Sequence, residues 1–154
     1  FSQAVVHQPV AEGKCLQCHD PHASSAPKLL TRPTKDLCFS CHKESAGSDQ
    51  RKNVHAPFKS GDCAKCHDPH SAPNANLTRV PASVELCDQC HKRHGHPVGV
   101  KASSKLLLKA GSRARMDAEG RITCLSCHES HGSDMKKILL YDKDRDLCIQ
   151  CHKM

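Results

Sequence analysis

The chain is 154 residues long, carries a formal charge of +7, and contains 12 cysteines and 13 histidines but only 3% aromatic residues and no tryptophan. So little large apolar surface excludes a conventional side-chain core. The longest apolar runs, such as Leu106 to Leu108 and Ile138 to Tyr141, fall far short of the roughly 18 residues of a membrane helix, and the scattered Lys and Arg residues, without interleaved aromatics, exclude a nucleic-acid surface.

Taken in order, the chain reads as three repeats of about 1–47, 48–93 and 94–154 within one domain. The first runs from His7-x-Pro9 through Cys15 to His19, Asp20-Pro21-His22 and Leu29-Leu30 to Leu37-Cys38 and His42-Lys43. The second repeats it as His55-x-Pro57, Cys63 to His67, Asp68-Pro69-His70, Leu77, then Leu86-Cys87 to His91-Lys92. In both, the upstream histidine stands eight residues before the first cysteine. The third opens with His96-Pro97 but inserts 20 residues before Cys124 to His128, Glu129-Ser130-His131, Leu139-Leu140 and Leu147-Cys148 to His152-Lys153. The inserted segment, within 97–123, holds Lys101, Lys105, Lys109, Arg113, Arg115 and Arg121 against Asp117 and Glu119. It reads as a solvated loop, with Asp117-Ala118-Glu119-Gly120 as a turn closing a β-hairpin.

All cysteines fall in pairs separated by two residues: Cys15 and Cys18, Cys38 and Cys41, Cys63 and Cys66, Cys87 and Cys90, Cys124 and Cys127, Cys148 and Cys151. Each pair is followed by a histidine. Those histidines, His19, His42, His67, His91, His128 and His152, complete six copies of C-x-x-C-H, the attachment signature of haem c. The spacing suits two thioethers to one porphyrin edge and an imidazole reaching the iron from below. Zinc ribbons fit the spacing of successive pairs, but a four-cysteine zinc site gives the histidine after the second cysteine no role. Disulfides across two intervening residues would be strained. Six haem c groups are therefore expected, at about 26 residues each, too few to wrap each porphyrin separately. The expected fold is mostly irregular, with short α-helices and one hairpin, wrapped round closely packed haems. Their propionates bring about twelve negative charges, so the cationic chain balances its own cofactors.

Seven further histidines remain for the opposite faces of six irons: His7, His22, His55, His70, His94, His96 and His131. Met116, Met135 and Met154 keep no repeat register. Register assigns His7, His55 and His96 as one set of distal ligands and His22, His70 and His131 as the other, with His94 left over. His19 and His22 lie three apart and project from one side, so they serve different irons, as do His67 with His70 and His128 with His131. A provisional pairing gives the upstream histidine to the first haem of its repeat and the histidine after the first motif to the second; exchange with a neighbouring repeat or subunit stays open.

On these residues the chain resembles the doubled C-x-x-C-H family of multihaem cytochromes c. C-L-Q-C-H-D-P-H and C-A-K-C-H-D-P-H match the family's first half-unit, and C-L-S-C-H-E-S-H does so with Ser130 in place of the usual proline. The resemblance implies an electron carrier or wire with bis-histidine haems, located in the periplasm or beyond the outer membrane, and in some similar proteins a filament. The expected partners are redox proteins or extracellular acceptors. Covalent haem attachment and abundant cysteine imply export with the leader removed. The alternative is a multihaem reductase, which requires an iron with an open site; with enough histidines to close all six, a non-enzyme is expected.

Overall fold

The computed structural model describes residues 2–81, 84–92, 95–102, 108–143 and 145–153. In chain order these form β1 (Val5–Val6), α1 (Gln8–Ala11), α2 (Thr34–Cys41), α3 (Lys43–Gly47), β2 (Asn53–Val54), α4 (Ala56–Lys59), β3 (Ser71–Ala72), α5 (Val84–Asp88) and β4 (Gly132–Ser133). The rest is loop and single 3-10 turns, so the expected fold class holds. The helices are short for local reasons. Pro9 sits in the first turn of α1, where a missing N–H costs nothing. Pro33 precedes α2, with Asp36 favourably placed in its first turn. His42 then leaves helical geometry at φ −84°, ψ 63° and ends it.

The chain packs as two compact units, Phe1–Asp49 with Ala56–Pro81, and Gln50–His55 with Ala82–Met154. In the first unit β1 pairs antiparallel with β3, Val5 opposite Ala72 and Val6 opposite Ser71. Lys35 is its polar hub, bonding both carboxylate oxygens of Asp49 at 2.8 Å and the Lys59 carbonyl at 3.0 Å, while its ammonium sits over the ring of Phe39, 5.8 Å from its centre, and Phe39 packs on Phe58. Gly61 closes the turn after α4 at φ +78°, and a Cβ there would stand 2.8 Å from Cβ of Lys35.

In the second unit β2 pairs antiparallel with β4, Asn53 opposite Ser133 and Val54 opposite Gly132. Asp134 clasps the pair, accepting from the Lys52 backbone and from the Arg51 guanidinium. The insertion, expected as a solvated loop, is instead tied to the third repeat. The Lys109 N–H bonds the Gln150 carbonyl, the Arg113 guanidinium bonds the Leu140 carbonyl and stacks on Tyr141, and Ser126 bonds the Arg115 carbonyl. The expected turn at Asp117–Gly120 forms, and its outgoing arm pairs with residues 99–102 through the Lys101–Arg121 bridge. Among the described residues only Leu140 has a fully buried large side chain, so neither unit has the apolar interior of an ordinary domain. No described helix is long and apolar enough to cross a membrane.

Candidate functional site

Each of the six C-x-x-C-H segments folds into the same turn. The histidine N–H bonds the carbonyl of the first cysteine, at 3.0 Å for His19, His67 and His128 and 2.9 Å for His42, His91 and His152. That bond winds two thiols and one imidazole round a single turn. Four motifs begin with a 3-10 turn, and the other two overlap the ends of α2 and α5.

None of the twelve cysteines is tied in a disulfide, and none is buried. Nine are half-covered by the chain, while Cys15, Cys41 and Cys90 are exposed. The reason at Cys90 is local. Helix α5 ends at Asp88, and Cys90 stands in the turn beyond it, its N–H bonded to the Cys87 carbonyl at 3.1 Å. Its thiol thus stays accessible for a thioether.

The first motif of every repeat is gripped by a backbone clip. His19 Nδ1 meets the Lys28 carbonyl at 3.0 Å, His67 Nδ1 the Asn76 carbonyl at 2.8 Å, and His128 Nδ1 the Lys137 carbonyl at 2.9 Å. A carbonyl can only accept, so Nδ1 carries the proton and Nε2 the lone pair, the tautomer in which an imidazole ligates a metal through Nε2. Two successive residues at positive φ shape each clip: Lys28 and Leu29, Asn76 and Leu77, Lys137 and Ile138. The clip is pinned from both sides. The backbone N–H groups of Asp20, Asp68 and Glu129 donate to the carbonyls of Leu29, Leu77 and Ile138, while those of Thr31, Arg79 and Leu140 donate to the carbonyls of Cys18, Cys66 and Cys127. The aliphatic patches were visible as a repeat feature in the sequence, but only Asn76, a residue tolerant of left-handed backbone, hinted at this role.

The upstream histidines are anchored by the next repeat. Beyond β1, the His7 N–H bonds the His70 carbonyl and its Nδ1 the Pro69 carbonyl, both at 2.9 Å. Beyond β2, His55 repeats this with the carbonyls of His131, at 2.8 Å, and Ser130, at 2.9 Å. Here too Nε2 is left free to ligate.

The histidines meet in twos. His7 faces His42 and His19 faces His70, with ring centres 6.0 Å apart in each case; His55 faces His91 at 5.8 Å. This differs from the provisional pairing, which set His7 with His19, because strand pairing carries the upstream histidine past its own first motif. His22, held at its N–H by Asp20, faces no other histidine ring among the described residues. His96 Nδ1 reaches the carbonyl of adjacent Pro97 at 3.2 Å, and His131 lies just before β4. His94 lies outside the described residues. His152 and Cys151 line a shallow pocket with Leu108, Lys109, Ile149 and Lys153.

Thiols of different motifs also come together. Cys38 and Cys63 share a hydrogen bond, which with burial pushes the Cys38 thiol far above its ordinary range and, on the other partner, lowers Cys63 to about 6. Burial pushes Cys127 up, helped by Cys151.

These residues fit haem. Two metal–imidazole bonds of about 2 Å, plus about 1 Å from each nitrogen to its ring centre, add up to roughly 6 Å, the spacing of all three facing pairs. Among the described residues no three His, Cys, Asp or Glu side chains converge on one point, whereas a structural zinc site gathers four ligands. The site therefore defines a protein built to bind haem c. The doubled CXXCH motif family matches residues 7–47, 55–96 and 117–154. Multiheme cytochrome MtrA of Shewanella baltica (strain OS185) is 38% identical over 129 residues, covering 80% of this chain and 36% of that protein. The chain belongs to the doubled CXXCH motif family and is a multihaem c-type cytochrome, spanning about a third of the length of this relative.

Proposed function

We propose that this protein carries electrons through six c-type haems, each attached to one cysteine pair and held between two histidines. The proximal ligands are His19, His42, His67, His91, His128 and His152, and the distal set is His7, His22, His55, His70, His96 and His131. Bound haem supplies one-electron ferric–ferrous chemistry. The chain's part is to fix spacing, ligation and exposure: carbonyl anchors hold imidazoles with Nε2 presented, and thiol contacts such as Cys38 with Cys63 bring two attachment edges together. The carrying observation is the set of three facing imidazole pairs at the spacing of one iron.

An exported location, periplasm or cell surface, belongs to this reading because covalent haem attachment and so many cysteines imply export. Its partners are then redox proteins or extracellular acceptors. Assembly into a filament rests on the resemblance alone, and electron microscopy of the isolated protein tests it. Intact mass should exceed the polypeptide by six haems. The reduced protein should bind almost no carbon monoxide; substantial binding would reveal an open iron and turn the reading towards a reductase.

A further inference from the structure

Resting on the haem reading above, we infer that the distal ligands are crossed between motifs and repeats. His7 completes the iron held by His42, His55 completes the iron held by His91, and His70 of the second repeat completes the iron held by His19 of the first.

The same relation occurs twice independently. His7 with His42 lies in the first compact unit and His55 with His91 in the second, and the partners are 35 and 36 residues apart. In both, the upstream histidine reaches the second motif of its own repeat. Its Nδ1 is committed to a carbonyl of the following repeat, Pro69 or Ser130, so only Nε2 can face an iron. On the other side of the first pair, His19 is held through Nδ1 by Lys28 and faces His70 at 6.0 Å. Carried to the third repeat, the rule assigns His96 to His152.

The crossing has a mechanical consequence. The backbone bond from His7 N–H to the His70 carbonyl, 2.9 Å, directly couples the distal ligands of the two irons of the first repeat. One short antiparallel ladder, β1 on β3, therefore sets the spacing of two neighbouring haems, and a repeat is not a self-sufficient di-haem unit. The first haem of the first repeat needs the second repeat to reach six-coordination.

A haem-deletion cycle in the full chain tests this. Cys38→Ala/Cys41→Ala removes one haem and Cys15→Ala/Cys18→Ala another, each checked by mass. His7→Ala should convert one low-spin haem to high-spin in wild type and in the Cys15/Cys18 background, and none in the Cys38/Cys41 background. His70→Ala should show the opposite dependence. His7→Met guards against misfolding, because a methionine–iron charge-transfer band should then appear in the Cys15/Cys18 background and be absent when the Cys38 haem is missing. The reverse pattern, or no spin change in any variant of a protein that still carries its haems, overturns the crossing. Wild-type protein without bound haem would instead overturn the haem reading itself.

Discussion

Replacing Lys137 by proline should raise the reduction potential of one haem, the one attached at Cys124 and Cys127, by some tens of millivolts. Lys137 sits at φ +56°, and its carbonyl accepts from His128 Nδ1 at 2.9 Å. Proline is locked near φ −65°, so the clip cannot form and the carbonyl swings away. The hydrogen bond makes the imidazole a more basic ligand, which favours ferric iron. A net hydrogen-bond contribution of about 0.5–1.5 kcal/mol, expressed wholly in the ferric state, corresponds to a shift of roughly 20–65 mV for one electron. Lys137→Gly is the control. It keeps the left-handed backbone and relieves about 1–2 kcal/mol of strain, offset by about 0.5–1 kcal/mol of added chain entropy, so potential and stability should barely change. Spectroelectrochemical titration of both variants, each checked by mass for retained haems, is the assay. A proline variant that titrates like wild type, or a glycine variant that shifts as far, would refute the claim that the clip tunes this ligand.

Gly61→Ala should lower the thermal midpoint, since it places a side chain at φ +78° and 2.8 Å from Lys35 Cβ. The left-handed strain alone is about 1–2 kcal/mol, and an unchanged midpoint would show that α4 and α2 yield without cost. Acid should loosen the Asp134 clasp. The Lys52 backbone N–H, then the Arg51 guanidinium, holds the Asp134 carboxyl below its usual range, so its stabilisation is complete above the ordinary value of about 3.9 and fades as pH falls through the depressed one. Urea midpoints of wild type and Asp134→Asn should therefore differ at neutral pH and draw together as the pH is lowered through the titration of the Asp134 carboxyl; a difference that does not change with pH would sink the assignment.

The local half of this protein is written in its sequence. The turn from Cys15 to His19 closes through a bond between residues four apart, so five consecutive residues contain all that is needed to form it, six times over. Scarce aromatics likewise foretold a thin interior, and of the six histidines that the repeat register singled out as distal, His7, His55 and His70 each face a motif histidine. Which histidine faces which was not legible, because the contacts of His7 with Pro69 and His42 join residues 62 and 35 positions apart, and no local signal encodes the strand pairing that makes them. The clips escaped for a different reason. Lys28, Leu29, Lys137 and Ile138 adopt left-handed backbone without glycine's signature, held there by hydrogen bonds from Asp20, Thr31, Glu129 and Leu140. The sequence by itself determined the six C-x-x-C-H motifs and the histidines that keep register with them, since those depend on chemistry within a few residues. Only the tertiary structure decided which rings come to face each other, since β1 must lie on β3 before His7 can anchor on the carbonyls of Pro69 and His70.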